Sequence, residues 1–195
     1  MSPAHRPSGT GLGVILGGAR SGKSRAAITM AARSRRTVTF IATGEPRDEE
    51  MTERIARHRA ERPQEWATVE APVELAAALS ATAPGDVVIV DCLSLWVANM
   101  IEAGWDDERI QAAGTEAART AGRRAGPTIA VSNEVGMAIV PANALARRYR
   151  DVLGRVNGAW SAAATWTVLA AAGRLIELHD PDDVMPDLIR RIDHG

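Results

Sequence analysis

Short apolar runs that alternate with helical segments along this 195-residue chain predict an α/β fold with a mostly parallel sheet. The runs 37–42 and 86–91 are rich in β-branched residues, and a third, 13–16, leads straight into glycines. Such short runs are typical of buried parallel strands. We therefore expect a single α/β domain over residues 12–195, preceded by a disordered polar tail over residues 1–11.

The remaining elements follow from periodicity, capping residues and breakers. Predicted helices cover 23–32, 48–62, 73–81, 93–102, 106–124, 143–166 and 179–195, and further strands cover 68–70, 128–131, 167–170 and 175–178. Because only four residues, Ala-Ala-Gly-Arg, separate the last two strands, they are predicted to form a C-terminal antiparallel hairpin. The flanking helices and the parallel strands then form one layered domain.

A glycine-rich motif of the form G-x-x-x-x-G-K-[ST] follows the first predicted strand and opens the first helix. Its residues are Gly17, Gly18, Ala19, Arg20, Ser21, Gly22, Lys23 and Ser24. In a loop of this kind, successive backbone N–H groups and the dipole of the following helix bind phosphate oxygens. The motif predicts a P-loop NTPase, and the alternative is a glycine turn that binds nothing.

Lys23 is the only lysine in the chain, since every other residue among its 23 lysines and arginines is an arginine. A compact ammonium suits a position among phosphates, where a point charge is needed. This use of Lys23 favours phosphate binding over a structural turn.

Polar residues follow the strands next to the motif. Asp91 ends the run 86–91, and Asn133 and Glu134 follow the strand 128–131. Ligands of open α/β sheets bind at the carboxyl ends of strands. We expect Ser24 and Asp91 to hold Mg²⁺ beside a triphosphate, although a cap for the next helix is the alternative role of Asp91.

The composition limits the kinds of molecule that the chain is expected to bind. The net charge is −1 and charges of both signs are intermixed, so no basic face for nucleic acid is expected. Cys92 is the only cysteine, which suits a reducing compartment. Without a signal peptide or an apolar run of about 20 residues, the chain is expected to be a cytoplasmic protein with small-molecule partners.

His58 lies on the predicted helix 48–62, on the same face as Met51, Ile55 and Arg62. Arginines surround it in the sequence, and neighbouring cations favour the neutral imidazole, which is the nucleophilic form. Trp66 is close enough to this helix to line a pocket. On the sequence alone, an incidental histidine on a charged surface helix remains the alternative.

Five segments together resemble the bifunctional adenosylcobinamide kinase/adenosylcobinamide-phosphate guanylyltransferase family of cobalamin nucleotide-loop assembly, over about residues 13–178. The segments are 17–24, Ile-Ala-Thr at 41–43, Arg-Ile-Ala-Arg-His-Arg at 54–59, Asn-Glu-Val-Gly-Met-Ala-Ile-Val-Pro at 133–141 and Gly-Arg-Val-Asn at 154–157. The resemblance implies a RecA-like core, in some members a trimer.

The resemblance also implies two reactions. A nucleoside triphosphate, ATP or GTP, phosphorylates the aminopropanol hydroxyl of adenosylcobinamide, and GTP then donates GMP to that phosphate through a covalent GMP-histidine. His58 matches the histidine that carries GMP, and Lys23 is expected to assist catalysis. Beside the phosphate loop, the nucleotide contacts implied are Ala42, Thr43, Gly44, Arg59, Ala60, Glu61, Arg62, Glu70 and Asp91.

Two other functions are compatible with the motif. One is a plain small-metabolite kinase in which His58 takes no part. The other is a nucleotide-dependent interaction module that drives a macromolecular partner. A regulatory GTPase is not expected, because the guanine-reading sequence N-K-x-D needs a second lysine.

Overall fold

The computed structural model describes residues 11–185, which form one seven-stranded sheet with helices on both faces. The strands are β1 (Leu12–Gly17), β2 (Val38–Ala42), β3 (Ala67–Glu70), β4 (Val87–Asp91), β5 (Thr128–Asn133), β6 (Trp166–Ala171) and β7 (Arg174–Leu178). The helices are α1 (Lys23–Arg33), α2 (Glu49–Ala60), α3 (Leu75–Ala81), α4 (Leu93–Glu102), α5 (Asp107–Arg123) and α6 (Ala144–Ala163). A further helical segment begins at 181 and is described as far as 185.

The strand order is β3-β2-β4-β5-β1-β6-β7, and only the pairing of β6 with β7 is antiparallel. The predicted parallel sheet with a C-terminal antiparallel hairpin is therefore confirmed. Strand β5 lies between β1, which carries the glycine-rich loop, and β4, which ends in Asp91. Because the strands β1 to β6 run parallel, their carboxyl ends lie along one edge of the sheet.

Both faces of the sheet are buried, and the buried side chains are the apolar ones from which the strands were predicted. Strands β1 and β4 place residues alternately in two apolar clusters, with Val14 and Val90 in one and Ile15 and Ile89 in the other. The larger cluster includes Trp160 of α6, which is fully buried. Burial of these β-branched and aromatic side chains is the main force that holds the helices on the sheet.

The predicted end of the long helix at 166 is wrong. The alanines before Trp166 favour helix, but α6 ends at Ala163 and Trp166 begins β6. There the chain joins the sheet, because the Thr165 N–H donates to the Leu12 carbonyl at 2.7 Å and Trp166 pairs with Gly13. A Cβ on Gly13 would lie 1.9 Å from the Trp166 ring, so the glycine is needed for this pairing.

The two chain ends fall partly outside the described residues. The expected disordered tail over 1–11 lies there except for its last residue, and so does most of the helix expected over 179–195. Within residues 11–185, the search for membrane spans finds no helix with the length and apolar character to cross a bilayer.

Candidate active site

The glycine-rich loop connects the end of β1 to the first turn of α1. Gly17 has φ 155° and Gly22 has φ 98°, conformations that side chains rarely adopt. A Cβ on Gly17 would also approach the carbonyl oxygen of Ala170 to 2.4 Å. The loop therefore needs glycine at both positions, and it brings the unpaired N–H groups at the start of α1 to the sheet edge.

Lys23 is the first residue of α1, and its side chain turns back into the loop. It is 8 % exposed, and its Nζ donates to the carbonyl of Gly18 at 2.7 Å. Burial lowers the pKa of Lys23 below its ordinary 10.5, while the nearby Cys92 and Asp91 act in the opposite direction. The only lysine of the chain is thus an enclosed ammonium at the centre of the loop, within electrostatic reach of Asp91.

Asp91 ends β4 with its carboxylate largely buried, and its Oδ2 has no hydrogen-bond partner among residues 11–185. Thr43 fixes the backbone on either side, because its N–H donates to the Asp91 carbonyl at 3.3 Å and its Oγ1 accepts from the Cys92 N–H at 2.8 Å. A buried carboxylate oxygen without a donor favours a nearby cation or a protonated group. The Asp91 carboxylate is therefore fixed in position and available for such a partner.

His58 faces Asp91 from α2. Its Nδ1 lies 3.7 Å from Asp91 Oδ2, and its side chain is 33 % exposed. The helix begins after Asp48, whose Oδ1 accepts from the Met51 N–H at 2.7 Å. Since no residue of α2 is fully buried, the helix covers the site without being deeply packed into the core.

Arg62 attaches the end of the His58 segment to the sheet. Its guanidinium lies over the Phe40 ring, 3.8 Å from the ring centre, and its Nε donates to the His58 carbonyl at 3.0 Å. The Nη1 of Arg62 is buried and has no hydrogen-bond partner in the part of the chain that the structure describes. Burial lowers the pKa of Arg62 from its ordinary value, and the Asp91 charge opposes that change.

A cavity of about 140 Å³ lies between α2 and the carboxyl ends of β2 and β4. Its lining includes seven of the positions predicted as site residues, together with Met51 from the helix face that carries His58; the seven are His58, Asp91, Ala42, Gly44, Arg59, Arg62 and Glu70. A larger adjoining cavity, about 660 Å³, is lined by Trp66 and shares Arg59, Arg62 and Thr68 with the first. The predicted position of Trp66 beside a pocket is confirmed.

Three of the nucleotide contacts predicted beside the phosphate loop do not line the smaller cavity. Thr43 is fully buried and is occupied by backbone hydrogen bonds, so its side chain lines neither cavity. Ala60 borders only the larger cavity, and Glu61 is exposed outside both. Ala60 lies about 200° around the helix from His58, so it is on the opposite face of α2.

Sequence reasoning missed several wall residues of the smaller cavity. Phe40 was assigned only to a strand and Leu95 only to the helix 93–102, and Cys92 was used only to infer a reducing compartment. The sequence signal for Phe40 was its place two residues before the end of β2, which turns its ring to the same side as Ala42. No pattern in the sequence indicates that Arg62 stacks on it.

The segments 133–136 and 154–157 meet beside the phosphate loop. Gly17 pairs with Asn133, and the Glu134 N–H donates to the Gly17 carbonyl at 3.0 Å. Asn157 of α6 is buried, and its Nδ2 donates to the Asn133 carbonyl at 3.0 Å. These contacts fix the loop after β5 against the phosphate loop.

The sheet order, the glycine-rich loop and the acidic strand end together define a P-loop nucleotide-binding protein. The family model described as cobinamide kinase / cobinamide phosphate guanyltransferase matches residues 13–178. This chain belongs to that family.

Curated relatives agree with the family. The chain is 45 % identical to the bifunctional adenosylcobalamin biosynthesis protein CobP of Pseudomonas aeruginosa over 75 % of this chain and 84 % of the relative. It is 38 % identical to the bifunctional adenosylcobalamin biosynthesis protein CobU of Escherichia coli, and 36 % identical to that of Salmonella typhimurium, in both cases over 82 % of this chain and 96 % of the relative. Among solved structures, the flagellar accessory protein FlaH of Methanocaldococcus jannaschii aligns with 86 % of this chain and 75 % of its own, at 16 % identity and a TM-score of 0.45.

Proposed function

We propose that this chain phosphorylates adenosylcobinamide on its aminopropanol hydroxyl and then transfers GMP from GTP to the new phosphate, through a covalent GMP on His58. Family membership supports the pair of reactions. The observation that carries the histidine step is the position of His58, whose Nδ1 is 3.7 Å from the Asp91 carboxylate on the sheet edge that also holds the phosphate loop.

In the kinase reaction, the aminopropanol oxygen attacks the γ-phosphorus of a nucleoside triphosphate. A new O–P bond forms, the bond from the γ-phosphorus to the bridging oxygen breaks, and the hydroxyl proton leaves to solvent. Lys23 and the N–H groups of the phosphate loop offset the charge that develops on the transferred and leaving oxygens. The products are adenosylcobinamide phosphate and a nucleoside diphosphate.

In the guanylyl transfer, the Nε2 lone pair of neutral His58 attacks the α-phosphorus of GTP. The P–N bond forms, the bond to the bridging oxygen breaks and pyrophosphate leaves. A phosphate oxygen of adenosylcobinamide phosphate then attacks the same phosphorus and displaces the imidazole, which gives adenosylcobinamide-GDP. In this proposal Asp91 orients the Nδ1–H of His58 and offsets the positive charge of the phosphorylated ring.

Mg²⁺ is proposed to travel with the triphosphate. It would be held by the Ser24 hydroxyl and the Asp91 carboxylate, and when bound it offsets phosphate charge. The residues present fit this ion, because Mg²⁺ commonly uses one or two protein ligands besides phosphates and water. Within residues 11–185, no cluster of three or more His, Cys, Asp or Glu offers a metal site built from protein alone.

The nucleoside of GTP is proposed to lie under α2. Ala42, Gly44, Arg59, Arg62 and Glu70 line the cavity there and are its proposed contacts. Ala60 and Glu61 at the outer end of the helix, and Thr43 at the end of β2, also remain proposed contacts.

Covalent labelling tests the proposal. Incubation with GTP labelled at the α-phosphate should give a protein adduct that is stable to alkali and labile to acid, as expected for a phosphoramidate. The adduct should be absent in His58→Ala and present in the matched control His179→Ala, because His179 follows β7 on the exposed surface. A chase with adenosylcobinamide phosphate should remove the label.

The outcomes separate the candidate functions. If phosphorylation of adenosylcobinamide occurs without any adduct, the chain is a plain kinase and the histidine step is wrong. If neither occurs and a macromolecule stimulates nucleotide hydrolysis, the chain is an interaction module instead.

The chain is also proposed to form a homo-oligomer, a trimer by resemblance to its family. The exposed edge strand β7 supports this, since Leu175, Ile176 and Leu178 are 46 %, 55 % and 42 % exposed. A strand at the edge of a sheet with exposed apolar side chains favours association with another chain.

A further inference from the structure

The most exposed large apolar side chains within residues 11–185 lie together after β5. Met137, Ile139, Val140 and Leu145 are 74 %, 93 %, 64 % and 62 % exposed, and we call these four residues the apolar rim. No charged residue occurs from 135 to 146, although 24 % of the chain is charged. Contiguous exposed apolar side chains of this kind mark an interaction site.

Hydrogen bonds anchor this segment at both of its ends. The Gly136 N–H donates to Glu134 Oε1 at 2.6 Å. Arg147 Nη1 donates to the carbonyls of Pro141 at 3.0 Å and Ala142 at 2.6 Å. The backbone is therefore fixed in a form that leaves the apolar side chains in solvent, so their exposure is not the result of a frayed end.

The apolar rim begins beside the phosphate loop. The Glu134 N–H donates to the carbonyl of Gly17, the first residue of that loop. His58 approaches Asp91 from α2, which lies over β2 and β4, whereas β5 and the rim lie on the β1 side of Asp91. The phosphate loop and the rim thus occupy one side of the site, and His58 occupies the other.

The geometry of phosphoryl transfer assigns the acceptor to the rim side. Displacement at phosphorus is in line, so the group that enters and the group that leaves stand on opposite sides. When His58 attacks the α-phosphorus, pyrophosphate leaves towards the phosphate loop. In the second displacement His58 is the leaving group, so the acceptor phosphate must enter from that same phosphate-loop side.

We propose that the apolar rim is the docking surface for the body of the acceptor, a corrinoid macrocycle. This inference rests on the proposed function, because it takes the acceptor from that function. A corrin ring carries many methyl and neutral amide groups and is too large for the 140 Å³ cavity under α2. An uncharged, methyl-rich surface next to the phosphate loop matches that chemistry, while the flexible aminopropanol arm reaches the site.

The test uses the full chain with both side chains at the tip of the rim made polar, Ile139→Ser with Val140→Ser. The KM for adenosylcobinamide in the kinase assay should rise by about tenfold or more, because apolar contact area is lost. The KM for the nucleotide and the labelling of His58 by GTP should stay unchanged, since neither involves the corrinoid. The matched control is Met30→Gln, which removes an exposed apolar side chain on α1 (38 % exposed) and should change none of these values.

A KM for adenosylcobinamide that stays within about twofold of the wild type overturns the proposal. A lower mass of the variant in light scattering also overturns it, because the rim would then join copies of this chain. If the double variant does not form the His58 adduct with GTP, the KM for adenosylcobinamide is measured in the single variant Ile139→Ser, which is a smaller change. Absence of labelling in the wild type contradicts the GMP-histidine step instead, and the corrinoid KM of the kinase reaction still decides the role of the rim.

Discussion

Asp91 and His58 are the pair on which the proposed histidine chemistry depends. The Asp91 carboxylate is largely buried, its Oδ2 accepts no hydrogen bond from any described residue, and it faces His58 Nδ1 at 3.7 Å. Asp91→Asn keeps the shape but removes the charge that stabilises a phosphorylated imidazole. We expect the single-turnover rate of His58 labelling to fall on the order of 100-fold, as measured by rapid quench.

Asp86→Asn is the control for that variant. Asp86 lies just before the same strand at its opposite end, where its Oδ2 accepts from Thr39 Oγ1 at 2.9 Å. In Asp86→Asn, His58 should be labelled at the wild-type rate. If a higher Mg²⁺ concentration restores labelling in Asp91→Asn, the carboxylate acts as a metal ligand alone and its orienting role is wrong.

The charge of Lys23 is expected to make GTP binding depend on pH. Burial lowers its pKa below 10.5, and the proposed function needs the charged ammonium to bind a triphosphate. The free protein therefore loses this charge at a lower pH than an exposed lysine would. The Kd for GTP should rise, by about tenfold per pH unit, above that lowered pKa, as equilibrium dialysis at constant ionic strength can measure.

The guanidinium of Lys23→Arg stays charged throughout this pH range. We expect this variant to bind GTP more weakly, because the larger group does not fit the loop, but with a Kd that does not change with pH. A wild-type Kd that stays flat up to pH 10.5 would show that Lys23 remains charged and would contradict the prediction.

At the scale of elements, α2 carries His58 but has no fully buried residue. Its first turn depends on Asp48, which caps the Met51 N–H. Asp48→Ala should cost about 1 kcal/mol of helix stability. Because the helix is weakly packed, we expect this loss as about fivefold faster hydrogen exchange within α2, with little change in the midpoint of global unfolding.

A second capping aspartate provides the matched comparison. Asp106 caps α5 in the same way, its Oδ1 accepting from the Arg109 N–H at 2.8 Å, but α5 buries Ile110 and several alanines. Asp106→Ala should therefore lower the free energy of global unfolding. Equal effects of the two variants on global stability would contradict the view that α2 opens independently.

The same elements show what the sequence could predict. The glycine-rich loop, the strand ending in Asp91 and the helix carrying His58 are local patterns, and each lies where its pattern indicated. The insertion of β5 between β1 and β4 depends on which strands pair across the sheet, which no local pattern specifies. The end of α6 was missed for the same reason, since a long-range bond from Thr165 to Leu12 overrides the helix preference of the alanines.

The candidate site likewise contains side chains that the sequence predicts and contacts that it does not. The side chains with a recognisable chemistry, Lys23, His58 and Asp91, could be predicted from the sequence. The stacking of Arg62 on Phe40 could not, because it joins a helix end to a strand 22 residues earlier only after both have packed. Thr43 was predicted as a ligand contact, yet its side chain is fully buried and bonded to Cys92.

At the scale of the whole molecule, the two edges of the sheet differ. All five residues of β7 are exposed, and three of them are large and apolar, whereas β3 exposes one large apolar residue, Val69, at 36 %. A closed trimer requires a heterologous contact, in which β7 packs on a different surface of the neighbouring copy. The edge with more exposed apolar surface is the better candidate for that contact.

Ile176→Lys tests this contact, because a lysine on an edge strand opposes association. We expect light scattering to show an oligomer for the wild type and a mass near the 20.7 kDa monomer for the variant. Val69→Lys makes the same change on the other edge and should leave the assembly intact. A monomeric wild type would refute the proposed oligomer, while an intact assembly of Ile176→Lys would place the contact elsewhere on the surface.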